Sequence, residues 1–144
     1  MTVADCLEAL RSDIPGCQVA AFGDVAARLI LKASHDATVP REKLDGLCAE
    51  AARCFAMTEG TGDPKADTQN SIVMTAQDMR VYVRAQGRAD FICLLCALDS
   101  APEEVVPKGV AALSPLAWGA VPARAKLTPP AAADGGRRPG APGR

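Results

Sequence analysis

Cys93-x-x-Cys96, inside the run FICLLCALD, has the spacing in this chain that most invites metal or redox chemistry. A reactive pair of this kind needs its first sulfur on a turn or at a helix N-terminus, where the two side chains converge and the dipole lowers the thiol pKa. Here Phe91 and Ile92 precede the pair, Leu94 and Leu95 separate it, and Ala97 and Leu98 follow. Nothing in that run breaks a strand. In a strand, positions i and i+3 lie roughly 10 Å apart at ~3.3 Å per residue and point to opposite faces. A disulfide needs Cα atoms within about 7 Å. The expectation is therefore buried structural sulfur. A thiol-redox enzyme or sensor using Cys93 and Cys96 is the alternative.

The other candidates for chemistry are weaker. Cys6, Cys17, Cys48 and Cys54 lie in apolar periodic segments, where a free thiol behaves as a small hydrophobe. His35 is the only histidine, and no second Cys-x-x-Cys stands at zinc-site spacing. Ser34-His35-Asp36 puts three triad residue types side by side, but a triad converges from separate elements. Gly60-Thr61-Gly62 lacks the Gly-Lys-Ser/Thr ending of a phosphate loop. Glu103 and Glu104 suit the positive first turn of a helix better than acid–base work. No catalytic residue, metal or cofactor is expected. The one stripe with recognition character is Arg80, Tyr82 and Arg84, expected to form an exposed partner-binding strand face, with a merely solvated face as the other reading.

The elements that must position these residues follow from periodicity. Thr2 caps a helix whose apolar positions Val3, Cys6, Leu7, Leu10 and Ile14 form one stripe, ended by Pro15-Gly16. CQVAAF and ARLILKAS read as two strands joined by a tight turn at Gly23-Asp24. In the second, Leu29, Leu31 and Ala33 would share one face, and Arg28, Ile30 and Lys32 the other. After the loop SHDATVP, residues 41–57 form a helix with the stripe Leu44, Leu47, Cys48, Ala51, Cys54 and Phe55. A polar loop leads to three strands: SIVMTA, then MRVYVRA after a turn at Gln77-Asp78, then DFICLLCALD after a turn at Gln86-Gly87-Arg88. The last is a nearly continuous apolar run, which suits a strand covered on both faces. Ser100 is placed as the N-cap of a final helix with Pro102 early, Pro107 tolerated within it, and Pro115 at its end.

The result is an α+β domain over residues 1–118. It has a five-stranded antiparallel sheet (a two-strand hairpin plus a three-strand meander) with a helix before, between and after. Residues 119–144 hold five Pro and five Gly with no apolar period, and are expected to be a disordered tail. That tail carries a net +4, leaving about −5 on residues 1–118 of a chain whose formal charge is −1. Nothing in this balance suggests a nucleic-acid binder. The acidic N-terminus does not look like an export signal, and no apolar run approaches the roughly 20 residues of a membrane span. A cytoplasmic location is expected.

The hairpin IPGCQVAAFGDVAARLILKAS, the helix REKLDGLCAEAARCFA, the meander SIVMTAQDMRVYVRAQGRADFICLLCALD and the helix APEEVVPKGVAALSPL, in that order, resemble the Roadblock family of dynein-light-chain-type domains. The resemblance covers about residues 3–117; profilin-like and longin-like domains share much of the arrangement. It implies a non-catalytic homodimeric scaffold that binds a small GTPase or a motor or signalling protein, with no catalytic residue to carry over. It also implies dimerisation through the middle helix and third strand, here Arg41–Met57 and Ser71–Ala76, with Leu44, Leu47, Ala51, Ile72, Val73 and Met74 as interface residues. The residues themselves agree in part, because a strand with few charges at a sheet edge is an aggregation hazard unless paired. A profilin-like or PAS-like ligand-binding sensor module is the remaining alternative.

Overall fold

The computed structural model describes residues 2–35, 38–59, 65–114 and 116. The expected tail, Trp118, Pro115, Asp36 and the Gly60-Thr61-Gly62 stretch lie outside the described residues. The elements are α1 (Val3–Asp13), β1 (Cys17–Asp24), β2 (Leu29–His35), α2 (Arg41–Thr58), β3 (Thr68–Met74), β4 (Met79–Ala85), β5 (Asp90–Cys96) and α3 (Pro102–Ser114). All strand pairs are antiparallel, in the order β2-β1-β5-β4-β3. The expected α+β class and its five-stranded sheet are therefore present.

α1 forms where the sequence signals it. Thr2 Oγ1 accepts from the Asp5 N–H, and Asp5 Oδ2 accepts from the Thr2 N–H, both at 3.1 Å, a reciprocal cap of two otherwise unpaired donors. Leu7, Leu10 and Ile14 are buried. Gly16, at φ 81°, supplies the left-handed turn into β1.

β5 lies between β1 and β4, and all seven of its residues are buried. Its side chains alternate between two cores. Ile92, Leu94 and Cys96 pack with α1 and α3 residues on one face, alongside Ala20, Phe22, Val81 and Val83. Phe91, Cys93 and Leu95 pack under α2 on the other, with Leu47, Ala51 and Phe55. Each fully buried aliphatic side chain here contributes about 1.5–3 kcal/mol relative to exposure. One sheet is thereby fixed from both sides.

Several expected boundaries move, each for a local reason. The first hairpin does not turn at Gly23-Asp24. β1 continues through Asp24, and the turn is residues 25–28. Asp24 Oδ1 accepts from the Ala26 and Ala27 N–H groups at 2.8 and 2.9 Å, which holds that turn. Arg28 takes φ 61° to close it. In β2 the expected face assignment fails. The register jumps from Phe22↔Lys32 to Gly23↔Ile30, so Leu31 is an extra, bulged residue. The bulge puts Ile30 and Ala33 on the same face, against the α2 core, and leaves Leu31 41% exposed.

β3 runs from Thr68 to Met74, not Ser71 to Ala76. Its polar start is held by side-chain bonding: Gln69 Nε2 donates to the Phe55 carbonyl at 3.2 Å and to Thr58 Oγ1. The next turn centres on Ala76-Gln77, because Asp78 is buried and bonded to Thr75 across it at 2.9 Å. Ala101, not Ser100, caps α3: its carbonyl accepts from Glu104 and Val105 N–H groups, with Pro102 opening the helix.

Gly23 sits at the register shift of the β1–β2 pair. A Cβ there would lie 2.8 Å from Phe91 Cε1 and 2.9 Å from the Leu29 carbonyl oxygen. Gly46, in the interior of α2, has open space around the same position. Gly23→Ala is expected to destabilise the protein by about 1–3 kcal/mol through overpacking, whereas Gly46→Ala should stabilise it by about 1 kcal/mol through helix propensity. Urea denaturation of the two variants beside the parent checks both signs.

Candidate functional site

The Cys93/Cys96 question is settled by side-chain direction. Cys93 belongs to the α2-side core and Cys96 to the opposite core, so the sheet itself separates the two sulfurs. Both are fully buried. Burial pushes the Cys93 thiol well above its ordinary pKa, and nearby Glu50 pushes the same way. The partner that sequence spacing missed is Cys17, which lies opposite Cys96 in the β1–β5 register and in the same core. A bulge at Gln18, between Cys17↔Cys96 and Val19↔Leu95, turns Cys17 inward beside it. No local signal could show this, because the two residues are far apart in the chain. Hydrogen bonding to Cys17, and then burial, raise the Cys96 thiol pKa. Among the described residues no group of three or more His, Cys, Asp or Glu side chains could hold a metal ion, and no helix is long and apolar enough to cross a membrane.

The expected exposed face of β4 is not exposed. Tyr82 is fully buried, and Arg80 and Arg84 are largely covered, because α2 lies over this side of the sheet. The alternation was legible, but the element covering it was not. Glu50, on the turn of α2 above them, accepts from the Tyr82 hydroxyl and from Arg80 Nη1 at 3.1 Å. Arg80 Nε also donates to Asp78 Oδ1 at 3.0 Å. Burial works against the Arg80 charge, but Glu50 and Asp78 more than offset it and hold its pKa above the ordinary value. Burial raises the Tyr82 pKa, with Cys93 and the hydrogen bond to Glu50 adding to the rise. The result is a satisfied polar network pinning α2 to the sheet centre.

The expected interface residues divide. Leu44, Leu47 and Ala51 are 9, 1 and 0% exposed, because they face the protomer's own sheet. They form the core and are not available to a partner. Val73 packs partly against the same core. Ile72 and Met74 are 46 and 57% exposed on the free edge strand. The outward side of α2 carries Glu42, Gly46, Ala49 and Arg53 at helical spacing, with Met57 exposed at its end. His35 is exposed at the end of β2, and Ser34 Oγ accepts from Arg11 Nε at 3.0 Å.

No protein-family model matches this chain, and no curated protein matches it by sequence. Solved structures do match in fold. The Roadblock/LC7 domain from Streptomyces avermitilis superposes at a TM-score of 0.62 and 10% identity, over 78% of this chain and 92% of that one. The gliding protein MglB from Thermus thermophilus gives 0.59 and 19% identity over 78% and 83%. MglB in a tetrameric arrangement gives 0.59 and 18% identity over 78% and 82%. The chain has the Roadblock fold, as the resemblance in its sequence implied.

The burial of the thiols and of Tyr82 can be checked in solution. Native thiol labelling should modify the half-exposed Cys6 and Cys54 and leave Cys93 and Cys96 unreacted until the protein unfolds, as read by mass spectrometry. Tyr82 is the chain's single tyrosine, so its ionisation is directly visible. Its folded pKa is raised, so the stability it contributes is intact below the unfolded value near pH 10 and is lost as pH rises beyond it. Tyrosinate absorbance should therefore appear only together with loss of far-UV circular dichroism, and not as a separate earlier titration.

Proposed function

We propose that this chain is a non-catalytic homodimeric interaction module. The observation that carries the reading is β3. It is an edge strand of seven residues without one charged side chain, and it exposes Ile72 and Met74. Natural edge strands are ordinarily blunted by charge, proline or a bulge. β3 has none of these, whereas the opposite edge, β2, has both a bulge and Lys32. A second copy pairing β3 with β3 about a twofold axis would join two sheets into one and satisfy that edge.

The outer face of α2 supports the same arrangement. Gly46 and Ala49 are small enough for two helices to cross closely there. An antiparallel crossing centred near them would set Glu42 of one copy near Arg53 of the partner subunit. The interface in this proposal is thus the edge of β3 with Ile72 and Met74 and the outward side of α2; Leu44, Leu47 and Ala51 have no part in it. The partner class that the Roadblock resemblance implies for such a dimer is a small GTPase, with motor or signalling proteins as the wider set. The placement of Cys93 and Cys96 on opposite faces of the sheet weighs against the redox reading of that pair.

Sedimentation or light scattering should report a dimer. Ile72→Lys and Gly46→Leu should each weaken it by about tenfold or more, equivalent to roughly 1.4 kcal/mol. Both positions are exposed, so far-UV circular dichroism should remain that of the parent. A monomer at the highest attainable concentration would refute the proposal. Binding of a purified Ras-type GTPase, loaded with GDP or with a GTP analogue, tests the partner class separately.

A further inference from the structure

Arg84 is a largely covered guanidinium with no carboxylate partner among the described residues, and its surroundings hold it in one orientation. Its Nε donates to Gln69 Oε1 at 2.8 Å, its Nη1 donates to the Arg88 carbonyl at 3.1 Å, and its Cζ lies 4.7 Å from the Phe55 ring centroid. Nη2 makes no hydrogen bond to the described residues. Every other arginine of β4 and of the turn that follows has an acid: Arg80 has Glu50 and Asp78, and Arg88 has Asp90 at 3.0 Å. Burial lowers the Arg84 pKa, with Glu59 only partly offsetting it, so the positive charge is incompletely compensated.

Arg84 lines a cavity of about 210 Å³ between the β1–β2 turn and the C-terminal half of α2. The wall also includes Arg28, Ala52, Phe55, Ala56 and Glu59. Arg28 is exposed, has no hydrogen bond or ion pair among the described residues, and is presented at φ 61° by the turn that Asp24 holds. Arg28 and Arg84 thus both line one small hollow. Arg84 is fixed by packing and hydrogen bonds, and its planar fork lies over the Phe55 ring. A group already ordered in this way loses little side-chain freedom on binding.

We propose that this hollow receives the carboxylate of an Asp or Glu side chain from an acidic segment of a partner protein, held between Arg28 and Arg84. Glu59 in the wall selects the class of anion. A single negative charge is balanced by two arginines beside one glutamate, whereas a phosphate dianion would meet greater repulsion. Ala52 and Ala56 leave room for the chain that bears the carboxylate. The inference rests on the reading of this protein as an interaction module, but not on its dimerisation. The hollow is bounded by the β1–β2 turn and by Ala52, Ala56 and Glu59 near the end of α2, while the proposed dimer contact uses β3 and the side of α2 centred on Gly46 and Ala49.

The test is a side-chain NMR titration of the full chain with a diacidic peptide, acetyl-Glu-Glu-amide, and in parallel with inorganic phosphate at matched ionic strength. The expected result is a saturable shift of the Arg84 Nε–H and Phe55 ring signals with the peptide, and a smaller one with phosphate. Arg28→Gln should weaken the peptide response severalfold, and Arg84→Lys, which keeps charge but not the fork, should abolish saturation. Sedimentation of both variants should be unchanged, which separates failure of this site from failure of the dimer. No saturable shift, an equal response in Arg28→Gln, or tighter binding of phosphate would each overturn the proposal.

Discussion

Burial of β5 on both faces is the constraint from which the rest of the architecture follows. A strand with Phe91, Ile92, Cys93, Leu94, Leu95 and Cys96 in succession has no side suited to water. It must lie in the interior of a sheet and be roofed above and below. β1 and β4 flank it, and the helices divide between the faces: α1 and α3 on one, α2 on the other. The two cores share no side chains of β5, yet each depends on that strand's position. Register is strongly specified as a result, because a slip of one residue would exchange the two core faces along the whole strand.

Polar chemistry in this protein serves attachment of α2. Its apolar residues Leu47, Ala51 and Phe55 provide the burial, while Glu50 reaches Arg80 and Tyr82 through the margin of that core. Such a network gives modest net stability but fixes one geometry, since leaving any member unpaired in a covered site costs more than the bond contributes. Asp78 extends it to the β3–β4 turn through Thr75. The helix, the turn and the central strands are thus locked in one arrangement. That leaves the β3 edge and the outer side of α2 as surfaces with a defined shape but no partner among the described residues.

The distribution of edge protection gives the molecule a direction. β2 is bulged at Leu31 and carries Lys32, which suits a terminal edge facing water. β3 is regular, pairs among the described residues with β4 alone, and exposes apolar side chains. The contrast is between two edges of one sheet in one chain, so composition of the whole protein cannot account for it.

The sequence by itself determined the order of the elements, the cap at Thr2, the helical stripe of α2 and the two-sided burial of β5. These are carried by spacings within one segment, where a period of 3.6 or 2, or a continuous apolar run, has a single structural meaning. From the same spacings it followed that Cys93 and Cys96 could not meet. The tertiary structure alone decided that Cys17 lies opposite Cys96, that Leu31 is bulged, and that Arg80, Tyr82 and Arg84 lie beneath α2. The same decision turned Leu44, Leu47 and Ala51 toward their own sheet. An alternating strand or a striped helix states that it has two unlike faces. Which distant element covers each face is set by pairings across the whole chain, and no local period encodes them.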